Sequence, residues 1–209
     1  MLMNKEKFFS GFSQETLDFL KNITANNSKS LFEENRHIYE KYLLQPFKNL
    51  VADLAGDMLL IDGSFNVQPA VNKTISRIFR DTRFSKDKSL FRGNMWLTLK
   101  RNSENWKVEP AYFFEIFSDW YRYGMGYYSA SRETMDLFRL TIDEKPTRFM
   151  KAIDFFHAQN LFELKGENYK RAIPNRHPPI IQPWYQKKSF YLVCNKKIEN
   201  VLFSSQLVE

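Results

Sequence analysis

Apolar residues recur at helical spacing over the first sixty positions of the chain. A first helix is predicted to begin at Ser13, a capping residue, because Glu15 then lies in the first turn and Phe12 and Leu17 have the spacing of a hydrophobic staple. We expect this helix to end near Lys21, ahead of a polar break.

A second, longer helix is predicted after the polar stretch 26–30, because Ser30 and Glu33 have the spacing of a capping box. Pro46 lies inside this helix and is expected to kink it, since proline lacks an N–H and its ring crowds the preceding turn. The apolar positions of the helix form one stripe with a period of about 3.6 residues. This stripe comprises Leu31, Phe32, Tyr39, Tyr42, Leu43, Phe47, Leu50 and Leu54.

From Phe65 onward the pattern changes to β-branched and aromatic residues, which is typical of strands. The segment Ser118-Asp119-Trp120 is predicted to be the turn of a hairpin between the last two of these strands. The predicted strands are Ile75–Phe79, Met95–Lys100, Ala111–Phe117 and Tyr121–Tyr128.

Helical patterns return after the hairpin. Ser131 and Glu133 predict the start of a helix that reaches about Asp143, and Pro146 suits the first position of the next helix. The remaining predictions are an apolar helix face at Phe149, Met150, Ile153 and Phe156, short apolar segments at Leu161–Leu164 and Phe190–Cys194, and a final helix near Ile198–Val208.

This order of elements predicts an α+β fold with a mainly antiparallel sheet and hairpins, flanked by N-terminal and C-terminal helices. We expect a single domain over residues 1–209, in which a helical part, 13–58, packs on a sheet-containing part, 65–209. A chain of 209 residues is long enough to bury a core without disulfides or a structural metal.

Composition narrows the class of protein. No apolar run approaches the roughly 20 residues that cross a bilayer, and the N-terminal segment has no apolar stretch typical of a signal peptide. The single cysteine, Cys194, allows no internal disulfide, so we expect a cytoplasmic protein. Aromatic residues make up 16% of the chain and are expected to fill the core, although some of them could also serve as stacking surfaces for bases.

The net charge of +7 is concentrated in two segments. The segment Ile75–Arg92 holds six basic and two acidic residues, and Lys165–Lys188 holds six basic residues and one acidic residue. A surface that serves solubility alone mixes the two signs more evenly, so this distribution indicates an anionic partner.

The first of these segments contains the candidate ligand site. Arginine forks and hydroxyl groups suit phosphate or carboxylate oxygens, because they donate several directed hydrogen bonds to an anion. Arg77, Arg80, Arg83, Lys86 and Lys88 would supply the positive charge, Thr82 and Ser85 the hydroxyl donors, and Asp81 would orient one arginine. An equally weighted alternative is an internal network, in which Asp81 and Asp87 hold the arginines and fix the loop.

Other motifs in the sequence give weaker support for a functional site. Glu34 and His37 have the Glu-x-x-His spacing of di-iron bundles, but His37 lies far round the helix from the apolar stripe, so we expect no metal site. Gly124 and Gly126 lack the third glycine of a dinucleotide fingerprint and are expected to allow close packing, with the floor of a ligand cleft as the alternative. Ser85 and Lys88 match S-x-x-K, but the companion motifs of penicillin-binding enzymes are missing.

The string from Arg77 to Lys88, with R-D-T-R-F-S-K-D-K at its end, resembles the signature of the "domain of unknown function 2461" family of conserved hypothetical proteins. The resemblance implies a bacterial, soluble protein and transfers no activity, cofactor or catalytic residue to this chain. Further positions that agree in order are Asn26-Asn27, Leu31-Phe32, Arg36, Tyr39, Pro46, Phe91-Arg92, Gly124, Gly126, Gly166 and Tyr169-Lys170-Arg171.

Three functions therefore stay open, and none of them calls for a cofactor. The preferred hypothesis is a protein that binds an anionic small molecule, bearing phosphate or carboxylate, at the segment 77–88. A second is an enzyme acting on a phosphorylated or nucleic-acid substrate with Asp81 or Asp87 as general base, although arginines nearby lower the pKa of a carboxylate and make it a poor base. A third is nucleic-acid binding through both basic segments, which predicts affinity that falls steeply with salt.

Overall fold

The computed structural model describes residues 7–105 and 108–209. It contains a five-stranded antiparallel sheet with strand order β1-β2-β3-β5-β4, preceded and followed by helices, which confirms the predicted α+β class. The strands are β1 Met95–Leu99, β2 Pro110–Ile116, β3 Trp120–Tyr127, β4 Glu163–Lys165 and β5 Tyr191–Lys197. None of the helices in the described ranges is long and apolar enough to cross a membrane.

The chain divides into two compact units. Unit 1 comprises the chain up to Leu99 together with Phe113–Arg122 and Asn195–Glu209. Unit 2 comprises Lys100–Tyr112 and Tyr123–Cys194. The single domain over residues 1–209 stays a prediction.

Helix α1, Gln14–Ala25, follows Ser13 at the N-cap as predicted, but it ends four residues after the predicted Lys21. The extra turn carries Ile23, which is buried together with Leu17, Phe19 and Leu20 on the inner face of the helix. Burial of this additional apolar position outweighs the weak helix propensity of the polar residues beside it.

The second helical region begins two residues earlier than predicted, because Ser28 rather than Ser30 caps it by accepting a hydrogen bond from the Leu31 N–H at 3.3 Å. The region is also not one continuous α-helix. It consists of α2 Lys29–Glu34, α3 Arg36–Ile38, a π-helical segment Tyr39–Leu44 and α4 Gln45–Ile61.

The π-helical segment lies where the sequence predicted a kink at Pro46. In a continuous α-helix the N–H of residue 46 would donate to the Tyr42 carbonyl, and proline has no N–H. The hydroxyl of Thr16, a fully buried residue of α1, donates to that carbonyl instead. The wider helical turn before the proline is therefore supported by a hydrogen bond from another helix.

The hairpin prediction is confirmed, since β2 and β3 flank the turn and the Phe117 N–H donates to the Trp120 carbonyl at 2.9 Å. The predicted strand Ile75–Phe79 is wrong. Ile75 forms a single bridge with Leu97 of β1, whereas Phe79 forms a bridge with Phe91, so the segment changes partner and no continuous ladder develops.

The core of unit 1 is rich in phenylalanine, as the composition predicted. Phe114 of β2 stacks on Phe12 with ring centroids 5.6 Å apart and also contacts Phe47 of α4. Phe32 of α2 stacks on Phe91 with centroids 4.6 Å apart. These contacts pack one side of the sheet against the N-terminal helices.

In unit 2, the helices begin and end close to the predicted residues. Helix α5, Arg132–Glu144, is capped by Ser131, and α6, Pro146–His157, has proline at its start. A short helix that the sequence did not predict, α7 Gln182–Tyr185, brings Trp184 against Ile153 and Leu192 in the core.

The predicted final helix near 198–208 is replaced in unit 1 by two turns of 3₁₀-helix, Asn200–Phe203 and Ser205–Val208. Ser204 lies between them in an extended conformation and caps the second turn by accepting from the Gln206 N–H. The cap interrupts the helical hydrogen-bond pattern and so explains why no α-helix forms.

Candidate functional site: the basic loop and the aromatic face

The candidate segment lies at the end of an irregular hairpin in unit 1. Its two arms are joined by hydrogen bonds from the Arg80 N–H to the Leu90 carbonyl and from the Arg92 N–H to the Ile78 carbonyl, each 2.8 Å. Ile78 and Phe91 are buried and anchor the arms in the core. We call residues 77–88 the basic loop.

Local hydrogen bonds fix the conformation of the basic loop. The Asp81 carboxylate accepts from the Arg83 N–H at 3.2 Å, and the Asp87 carboxylate accepts from the Ser89 N–H at 2.9 Å. The Thr82 carbonyl accepts from the side-chain amine of Lys88 at 2.9 Å. The loop is therefore ordered by its own side chains, although it is exposed to solvent.

Two of the predicted cations are held in ion pairs within the loop. Arg83 donates to both carboxylate oxygens of Asp81, at 2.9 and 2.7 Å, and Arg80 lies 2.9 Å from the Asp87 carboxylate. Asp81 thus contacts Arg83, while its role in orienting an arginine toward a ligand stays a prediction. The alternative of an internal network applies to these two arginines.

The arginine contacts also bear on catalysis. Hydrogen bonds from the Arg83 side chain lower the pKa of Asp81 to about 2. A hydrogen bond from the Ser89 hydroxyl, with further help from the Arg80 charge, lowers the pKa of Asp87. Carboxylates of such weak basicity are poor general bases near neutral pH, which counts against an enzyme built on either residue.

The remaining polar groups of the loop are available to a ligand. Within the described ranges 7–105 and 108–209, Arg77 and Lys86 form no ion pair, and the hydroxyls of Thr82 and Ser85 have no hydrogen-bond partner. With five cations and two carboxylates, the loop keeps a net charge of +3. The exposure of its charged side chains differs, since 77% of the Arg83 side chain but only 29% of the Arg80 side chain is exposed.

A second charged cluster in unit 1, on the neighbouring sheet, was not predicted. Glu115 of β2 is only 8% exposed and forms an ion pair of 2.5 Å with Arg122 of β3. The amide of Asn94 donates to the other carboxylate oxygen of Glu115. Glu115 and Arg122 lie at equal sequence distances from the hairpin turn and have opposite charges. A cross-strand ion pair could therefore have been predicted from the sequence.

Aromatic rings surround this ion pair. The Arg122 guanidinium lies 5.7–5.9 Å from the ring centroids of Phe113, Phe117 and Trp120, within the range of a cation–π contact. Phe117 and Trp120 stack face to face with centroids 4.0 Å apart. The Arg92 guanidinium lies 4.9 Å from the ring centroid of Trp96, a residue of β1. We call this set of four rings and two arginines the aromatic face.

The other motifs of the sequence have the following surroundings in the described part of the chain. No group of three or more histidine, cysteine, aspartate or glutamate side chains that could hold a metal ion lies within it. A Cβ on Gly126 would lie 2.4 Å from the Cα of Tyr191, so this glycine permits close packing of β3 and β5, as expected. In the second basic segment, Lys187 donates to the Gly166 carbonyl and Lys188 pairs with Glu167, so part of its charge supports the backbone.

Comparison with known protein families shows where the chain belongs. The model of the family described as "Conserved hypothetical protein (DUF2461)" matches residues 15–209, nearly the whole chain. A search of curated proteins found no match. The chain therefore belongs to the DUF2461 family, as the R-D-T-R-F-S-K-D-K string indicated.

Proposed function

We propose that this member of the DUF2461 family binds a phosphate- or carboxylate-bearing ligand at the basic loop. One observation carries the proposal: the loop is ordered by its own acids and still keeps a net charge of +3. Arg77, Lys86 and the hydroxyls of Thr82 and Ser85 are the groups that would contact the anion.

The internal ion pairs favour this function rather than oppose it. Asp81 and Asp87 hold Arg80 and Arg83 in place before a ligand arrives, so less conformational entropy is lost on binding. Arg83 donates to Asp81 from Nε and Nη2. The remaining N–H groups of its planar guanidinium lie along another edge and can donate to a ligand. A multivalent anion can therefore bind to groups whose positions are already set.

The exposure of the loop sets the strength expected of such a site. Because Arg83 and Lys86 face solvent, the attraction for an anion is screened by salt over a Debye length of about 8 Å at physiological ionic strength. Affinity for a small anion is therefore expected to be modest and to fall as salt is added.

Calorimetric titration with inorganic pyrophosphate tests the proposal. The double variant Arg77→Ala/Lys86→Ala removes the two loop cations that form no ion pair in the described residues. It is expected to weaken pyrophosphate binding by about tenfold, the equivalent of about 1.4 kcal/mol. The matched control is Arg148→Ala/Lys151→Ala, which removes an exposed arginine and an exposed lysine from α6 of unit 2. Equal affinities of the two double variants would reject the basic loop as the site.

A further inference from the structure

Arg92 connects the aromatic face to the hairpin that carries the basic loop. Arg92 closes the hairpin that carries the loop, since its N–H donates to the Ile78 carbonyl, and its side chain lies over Trp96 of the aromatic face. Both features belong to unit 1. The aromatic face therefore adjoins the base of the hairpin whose end carries the basic loop.

Strand alternation separates the aromatic face from the core. Phe114, Ile116 and Tyr121 are buried on the side of the sheet that packs on the N-terminal helices. Successive side chains of a strand point to opposite sides, so Phe113 and Arg122 lie on the other side, where they are only half-buried. This side of the sheet thus presents flat rings and guanidinium planes at a surface.

The charges of the face favour a ring over a bare anion. Glu115 neutralises Arg122 and holds its guanidinium in one orientation, so the centre of the face carries little net charge. Aromatic rings and a fixed guanidinium plane are the groups on which nucleic-acid bases stack. The excess positive charge lies at the basic loop, which is where a phosphate attached to such a base would be attracted.

We propose that the aromatic face binds the base of a nucleotide whose phosphate is held by the basic loop. This inference rests on the proposed function and names its ligand class: a planar base joined to a phosphate. Trp120, Phe117 and Trp96 supply the stacking surfaces, and Glu115 acts as a positioning residue through Arg122.

Three probes separate the two parts of the site: uridine monophosphate, uridine and inorganic phosphate. Their binding is followed by saturation-transfer difference NMR for the ring protons of the base and by calorimetry for affinity. The variant Trp120→Leu keeps an apolar side chain but removes the stacking ring, and Trp120→Tyr restores a ring. A matched control, Phe155→Leu, removes an aromatic ring that is 63% exposed on α6.

We expect Trp120→Leu to weaken the binding of uridine monophosphate and uridine about tenfold and to leave phosphate binding unchanged. Trp120→Tyr is expected to retain most of the affinity, and Phe155→Leu all of it. The loop variant Arg77→Ala/Lys86→Ala should weaken uridine monophosphate and phosphate but not uridine.

The two possible failures are distinguishable. If uridine does not bind, or binds Trp120→Leu as well as the unaltered chain, the inference is overturned while the proposed function stands. If the loop variant binds phosphate normally, the proposed function and the nucleotide assignment both fall. A single strand of ten thymidylates identifies the source of the ligand: binding more than about tenfold tighter than the mononucleotide assigns a single-stranded nucleic acid, and equal binding assigns a free nucleotide.

Discussion

At the scale of single residues, Thr16 and Pro46 explain each other across two helices. Pro46 removes an N–H from the helix that follows the π-helical segment, and the buried Thr16 hydroxyl donates to the Tyr42 carbonyl that this N–H would serve in an α-helix. The same hydroxyl accepts from the Ser13 N–H at the start of α1. One side chain thus joins two backbone positions that are far apart in sequence.

The variant Thr16→Val tests this role. Valine keeps the shape of threonine but removes the hydroxyl, so we expect the free energy of unfolding to fall by about 1–3 kcal/mol. Urea denaturation measures the change. Thr141→Val is the control, because its hydroxyl bonds to the Leu137 carbonyl on an exposed helix face and should cost no more than about 0.5 kcal/mol. Equal losses in the two variants would contradict the role of Thr16.

Asp81 allows a test by pH. Its pKa of about 2 in the folded chain lies below the ordinary value of 3.8, because Arg83 hydrogen-bonds to the charged form. The ion pair therefore favours the folded state above about pH 4, and this contribution disappears as the pH falls through about 2. Carboxyl NMR titration should give a midpoint near 2, and Arg83→Ala should move it toward 3.8. A midpoint that Arg83→Ala leaves unchanged would show that the pair does not form in solution.

At the scale of elements, the hairpin β2–β3 carries a nearly buried charge on one side and apolar core residues on the other. Glu115 has a partner at each carboxylate oxygen, Asn94 and Arg122. Burial of a charge is costly without such partners, and removal of one partner leaves the other charge uncompensated. The ion pair therefore stabilises the observed register of the hairpin.

Replacement of Glu115 by alanine should lower the free energy of unfolding by about 2–3 kcal/mol, somewhat less than for a fully buried pair because Arg122 is partly exposed. Glu163→Ala provides the comparison, since Glu163 forms an exposed ion pair with Lys165 of the same strand. Its replacement should cost at most about 1 kcal/mol. Chemical denaturation of both variants gives the answer. A smaller loss for Glu115→Ala than for Glu163→Ala would contradict a stabilising pair.

The elements that the sequence predicted are those with local causes. The cap at Ser131, the proline at the start of α6 and the turn between β2 and β3 follow from residues within a few positions of each element. The π-helical segment depends on Thr16, which no local pattern connects to Pro46. The strand prediction at 75–79 failed because the pairing partner changes within the segment, and long-range pairing is not encoded in alternation.

The candidate site was also predictable only where its residues are close together in the sequence. The basic loop was predicted because charge and hydroxyl groups are dense over twelve residues. That Arg80 and Arg83 turn toward Asp87 and Asp81 was one of two equally weighted alternatives, since sequence alone gives no side-chain direction. The aromatic face was missed, because its rings come from separate strands and meet only in the folded sheet.

At the scale of the whole molecule, the position of the charge matters more than its amount. The second basic segment also exposes cations, among them Lys170 and Arg171, but Lys187 and Lys188 of the same segment bond to the Gly166 carbonyl and to Glu167. Only the first segment combines cations with hydroxyls that lack partners in the described structure and with acids that hold the loop in place.

Two variants with equal loss of charge test whether the position or the amount of positive charge governs anion binding. Lys170→Ala/Arg171→Ala and Arg77→Ala/Lys86→Ala each remove two positive charges. We expect the first to change pyrophosphate affinity by less than about twofold and the second by about tenfold, as calorimetry at constant salt would record. Equal effects would mean that the anion responds to net charge alone, as in non-specific binding through both basic segments.

The most direct test of the central claim is a titration of the isotopically labelled protein with pyrophosphate, followed through its backbone amide NMR signals. If the basic loop binds the anion, the largest saturable shifts fall on residues 77–88 and on Arg92. Shifts that do not saturate, or that are largest between Lys165 and Lys188, would contradict it.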